Sequence, residues 1–220
     1  MNYFAHALAF LDQPYFVAGT AAPDWLTVVD RPVRVRRKHA EPLLADADPQ
    51  VAAVAGGVLQ HLRDDRHFHE TRAFAETSLA LSAAARRGLG DDAGFRPSFL
   101  GHLLVEVLLD AALVARHEAE VQRYYRALEA VDALRVQGAI NRMAPRPTER
   151  LAPMVVAFCR ERILWDYLED DRLLRRLNQV MRRLGFSPSL PDGFAALLLP
   201  ARRLIDERRE ELLEGIPVAP

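Results

Sequence analysis

Apolar residues recur along nearly the whole chain at intervals of three and four, the spacing of one face of an α-helix. No run alternates β-branched and polar residues as a half-buried strand would. The pattern predicts an all-α protein. Prolines such as Pro49, Pro97, Pro147 and Pro191 stand at the edges of the periodic segments, where a fixed φ and a missing N–H start or stop a helix. The helices delimited this way are Tyr3–Leu11, Pro14–Val29 with a break near Pro23, Pro49–Asp65, Thr71–Arg87, Pro97–Ala115, Glu118–Leu134, Pro147–Leu168, Asp171–Leu184 and Pro191–Leu213. No internal repeat or low-complexity tract occurs, and the one long polar gap is Gly88–Arg96. A single compact multi-helix domain over residues 1–220 is the expectation.

Composition narrows the possible functions. A chain of 220 residues, half of them apolar and 27% charged, is long enough to bury a core without staples. A single cysteine, Cys159, excludes a disulfide framework and a multi-cysteine zinc site. Twenty-nine basic against thirty acidic side chains give a formal charge of −1, so no global field favours nucleic acid or an anionic membrane. The N-terminus lacks the cationic flank of a signal peptide, and the most apolar stretch, Phe99 to Ala115, is broken by His102, Glu106 and Asp110. A cytoplasmic protein with no membrane or nucleic-acid partner is expected. All basic residues but Lys38 are arginine, which reads as coding bias.

Within this helical frame, histidines and carboxylates repeat at metal-ligand spacing. His61 and Asp65 are four apart and share a helix face, with His69 one turn further if the helix continues. His102, Glu106 and Asp110 form a second stripe on an otherwise apolar helix, and burying carboxylates there costs several kcal/mol per ion unless something cationic compensates. His6 lies among apolar residues, and Asp24 follows Gly19-Thr20-Ala21-Ala22-Pro23, an approach that brings backbone close. This mixed nitrogen and oxygen set suits zinc, manganese or iron in a hydrolytic site. The competing account is a surface of ordinary salt bridges to arginine.

These residues also carry a resemblance. Met1-Asn2-Tyr3-Phe4-Ala5-His6, then Gly19 and Pro23-Asp24, then Gly57-Val58-x-x-His61-x-x-x-Asp65, resembles the acyl carrier protein phosphodiesterase family. That family is related to the HD-domain phosphohydrolases and cleaves, with manganese, the phosphodiester joining 4′-phosphopantetheine to a carrier-protein serine. The likeness covers about the first 70 residues well and the helix around Asp110 loosely. It implies an HD-domain-like fold, metal-site roles for His6, Asp24, His61 and Asp65, and a place for Val107-Leu108-Leu109-Asp110 on the family's helix. The chain departs from the family at Asp110-Ala111, where an Asp-His pair is usual, and at His69, where an aspartate is usual. His102 and Glu106 would supply ligands in compensation. Paired His-x-x-x-Asp and His-x-x-x-Glu helices are also similar to the ligand helices of zinc-dependent phospholipase C.

The expected arrangement has the first helix, the His61/Asp65 helix and the His102/Glu106 helix converging on one or two divalent metals. Asp64, His69 or Asp110 would handle protons, and Arg63 or Arg66 would hold a non-bridging phosphate oxygen. The activity would be hydrolysis of a phosphoester by a metal-activated water, with a carrier protein as candidate partner. The alternative is a catalytically inactive helical scaffold acting as an interaction protein. The basic run Arg31–His39 reads as a solvated loop and a candidate docking patch, and Tyr124, Tyr125, Phe158 and Trp165 read as packing residues. Cys159 has no adjacent base, and neither a Walker loop, a dinucleotide glycine motif nor Gly-x-Ser-x-Gly is present.

Overall fold

A computed structural model describes residues 1–89, 95–186 and 189–218; residues 90–94, inside the predicted polar gap, lie outside this set. The protein is all-α, with no strand among the described residues. Eleven α-helices are described: α1 Tyr3–Ala7, α2 Pro14–Val29, α3 Arg37–Ala40, α4 Pro49–Glu70, α5 Arg72–Leu89, α6 Pro97–Arg116, α7 Glu118–Glu129, α8 Ala133–Met143, α9 Leu151–Glu161, α10 Asp170–Arg183 and α11 Ala195–Leu212. Their contacts fall into two units, each discontinuous in sequence. One comprises Tyr3–Arg66, His117–Arg162 and the C-terminal residues from Ile216; the other comprises Met1–Asn2, His67–Arg116 and Ile163–Gly215. We call them the His61 unit and the Glu106 unit.

In the His61 unit, α2 is the central element and packs against α1, α7, α8 and α9. Pro14 opens it at a position where no N–H is needed. It runs unbroken through Pro23, contrary to the predicted break, because Val17 to Ala22, Trp25 and Leu26 are all buried and packing outweighs one missing hydrogen bond. Phe158 of α9 joins the helices: its ring lies 4.8 Å from Tyr3, 5.3 Å from Trp25, 6.3 Å from Tyr124 and 6.0 Å from Tyr125. Phe4 of α1 meets Tyr124 of α7 edge-on at 5.9 Å. These fully buried aromatics bring α1, and with it His6, into the core.

Two predicted helices in this unit end early for local reasons. The helix expected to reach Leu134 stops at Glu129, because Asp132 accepts from the backbone N–H of Leu134 (2.9 Å) and Arg135 (3.3 Å) and so caps a separate α8. The helix expected over Pro147–Leu168 starts at Leu151 and ends at Glu161, where Arg162 turns into the left-handed region with φ 47° before a 3-10 turn over Ile163–Leu168.

The contact of α2 with α4 is made by glycines. A Cβ on Gly19 would fall on the carbonyl oxygen of Val54, and one on Gly57 would fall on the carbonyl oxygen of Phe16 and lie 2.8 Å from the Thr20 nitrogen. Asp48 and Pro49 start α4, Asp48 accepting from Gln50 N at 2.9 Å, and the helix continues to Glu70 rather than stopping at Asp65.

In the Glu106 unit, α5 and α6 pack along their length and α11 covers both. Gly101 permits the approach, since a Cβ there would overlap Ser82 Oγ and lie 2.5 Å from the Ser78 carbonyl oxygen. α6 is long and apolar enough to cross a membrane, but 61% of its most apolar window is buried inside the protein. α10 places Leu173, Leu174, Leu177 and Met181 on its buried side.

Gly57→Ala should therefore cost about 1–3 kcal/mol of stability by overpacking. Urea unfolding checks this, with Gly138→Ala, at a helical position where nothing lies within 4 Å, expected to be neutral or slightly stabilising.

Candidate metal centre

The α2–α4 contact places the Thr20 carbonyl 2.8 Å from Nδ1 of His61, which is 3% exposed. A carbonyl can only accept, so Nδ1 carries a proton and is committed to the backbone, and Nε2 points away from it. That nitrogen faces Asp65 Oδ2 at 3.5 Å, one turn along the same helix. From α1, fully buried His6 directs Nδ1 to Asp64 Oδ2 at 3.3 Å and Nε2 to Asp65 Oδ1 at 3.4 Å. His6 Nε2 is buried and makes no hydrogen bond of good geometry. The two imidazole rings lie 4.2 Å apart. One ligand atom each from His6, His61 and Asp65 falls within a 4.8 Å group.

Burial works against charge on both Asp65 and His6, but the hydrogen bonds between them and their neighbours prevail. Asp65 is held far below the usual carboxylate range by His6 and His61, and His6 is raised by Asp64 and Asp65. The raised His6 and the depressed Asp65 favour an ion pair between them, and a bound cation would compete with the imidazole proton.

The second group lies in the Glu106 unit. Glu106 Oε1 accepts from the Met1 amino group at 3.1 Å and faces His69 Nε2 at 3.0 Å and His102 Nε2 at 3.2 Å. The His69 and His102 rings lie 4.8 Å apart, and both meet Phe74 edge-on. Burial opposes ionisation of Glu106, yet the Met1 ammonium and the two imidazoles hold its carboxyl well below the usual range. Here the three cationic or donor groups share one oxygen and satisfy one another.

The ten predicted site residues thus distribute unevenly. His6, His61 and Asp65 gather in one unit, and His69, His102 and Glu106 in the other. Asp64 orients His6 and is itself held by Gln60 Nε2 at 2.7 Å. Arg63 donates to Gln60 Oε1. Asp24 and Asp110 belong to neither ligand group; Asp110 is fully buried in α6. Sequence reading passed over Gln60, although its spacing of four from Asp64 puts both on one helix face. It also passed over the Thr20 carbonyl, which carries no side-chain signal.

A depressed carboxyl pKa stabilises the fold above the unfolded value of about 4.3 and ceases to do so as pH falls toward the folded value. In chelated protein, the stability difference between wild type and Glu106→Gln should therefore shrink between pH 6 and pH 3, as followed by urea unfolding. A difference independent of pH would show that Glu106 is not held ionised. The chain matches no protein-family model, no curated protein and no solved structure.

Proposed function

We propose that this chain is a divalent-metal-dependent phosphoester hydrolase of the kind its N-terminal residues resemble, with its metal centre at His6, His61 and Asp65. The observation that carries the reading is the clamping of both imidazoles. His61 is fixed through Nδ1 by a backbone carbonyl and His6 through Nδ1 by a buried carboxylate, which leaves both Nε2 atoms directed at one ionised aspartate. Outer hydrogen bonds of this kind orient metal-ligating histidines in general. Two histidines and one carboxylate also match catalytic zinc sites, which use three protein ligands where structural sites use four.

A divalent ion bound there supplies a Lewis acid and a nucleophilic water at neutral pH. The protein's own contribution is positional. Asp64, held by Gln60, fixes the orientation of His6, and Asp65 stays anionic at neutral pH. Arg63 and Arg66 are exposed on α4 within a turn of the cluster and are available to a phosphate oxygen. The alternative, a scaffold without catalysis, draws on the Glu106 group, whose hydrogen bonds close on themselves without an ion.

Metal analysis of protein purified without chelator or histidine tag should find bound manganese, zinc or iron, and EDTA should lower the melting temperature. Hydrolysis of bis(p-nitrophenyl) phosphate should depend on the metal. Activity on phosphopantetheinylated carrier protein should be weak or absent. Asp65→Asn should lower turnover at least a hundredfold with the fold retained, whereas Cys159→Ser, at a thiol that burial pushes up to about 11, should stay within a few-fold. Turnover that survives Asp65→Asn, or no metal-dependent turnover of any phosphoester, overturns the reading.

A further inference from the structure

On the face of α4 adjoining His61, Asp64 and Asp65, the His61 unit opens into a cavity of about 620 Å³. Its floor is apolar: Phe16, Val35, Leu44, Leu59 and Leu62. Leu44, which lines it, is 53% exposed. Gly56 keeps the floor open, since a Cβ there would stand 3.0 Å from the Phe16 ring.

The rim is cationic. Arg36, Arg37, Arg63 and Arg66 line it, against a single acid, Glu41. Glu41 is already paired with Arg37 at 2.5 Å. Arg36, Arg63 and Arg66 have no carboxylate partner among the described residues, and Arg63 donates to Gln60 instead. A cavity that sets unpaired guanidinium groups over exposed aliphatic and aromatic surface selects a ligand with an anionic head and an apolar chain.

The cavity wall is also wired to the candidate centre. Arg63 donates to Gln60, Gln60 donates to Asp64, and Asp64 accepts from His6. One helix therefore presents the cavity on Leu59, Gln60, Arg63 and Arg66 and the ligand group on His61 and Asp65.

We propose that this cavity binds the substrate, and that the substrate class is an amphiphilic phosphate ester. The apolar chain lies over Phe16 and Leu44, and the phosphate meets Arg36, Arg63 and Arg66. The proposal deepens the hydrolase reading and rests on it for turnover, but binding is measured apart from turnover, with EDTA present so that the probe is not consumed. Titration calorimetry with octyl phosphate, inorganic phosphate and octyl glucoside should show octyl phosphate binding at least tenfold tighter than either control. The double variant Arg36→Ala/Arg66→Ala and the single variant Leu44→Asp should each weaken octyl phosphate at least tenfold with unchanged melting temperature. Equal affinity for octyl phosphate and octyl glucoside, equal affinity for octyl phosphate and inorganic phosphate, or wild-type binding by both variants overturns the proposal. Octyl phosphate binding without metal-dependent turnover overturns the hydrolase reading alone.

Discussion

The candidate centre depends on two backbones meeting with no side chain between them. Gly19 and Gly57 let α2 and α4 approach until the carbonyl of one turn reaches the imidazole of the other. A methyl group at either position would force the helices apart. Even a shift of ~1 Å would carry the Thr20 oxygen beyond hydrogen-bond range of His61, and the imidazole would lose the contact that fixes its orientation. The aromatic cluster around Phe158 acts in the same direction from the other side, because it buries α1 and so prevents His6 from turning to solvent.

The two groups of titratable residues show what such positioning changes. Around Glu106, an ammonium and two imidazoles face one oxygen. Around Asp65, the histidines are held by partners behind them and their outer nitrogens are directed inward. A buried nitrogen without a good hydrogen bond costs about 1–3 kcal/mol, which the fold tolerates at His6. Similar residue types at similar helical spacing thus give one network centred on a shared oxygen and one in which a buried ring nitrogen lacks a good hydrogen bond.

Helical periodicity made the fold class and most element positions legible, and the i, i+4 spacing made both histidine–carboxylate pairs legible. Their partition between two units was not, since periodicity shows which residues share a face and not which helices meet. Asp64, expected to move protons, meets His6, a contact with α1 across 58 residues of sequence that periodicity does not show. His69 joined Glu106 because α4 runs on to Glu70, past the apolar pattern that marked its end at Asp65. Asp24 and Asp110 had the right chemistry in the right neighbourhood, but their place depended on helix rotation that composition does not reveal. α8 was missed because its cap, Asp132, sits inside a stretch that still reads as one continuous apolar stripe.

The near-absence of lysine has a practical side. Lys38, the one lysine in the chain, lies exposed on the short helix α3, next in sequence to Arg36 and Arg37 at the cavity rim. Chemistry directed at ε-amines consequently attaches a dye or crosslinker at one side chain, while the guanidinium groups remain untouched. A fluorophore placed there would report on occupancy from a position a few residues from the opening, without a cysteine having to be engineered.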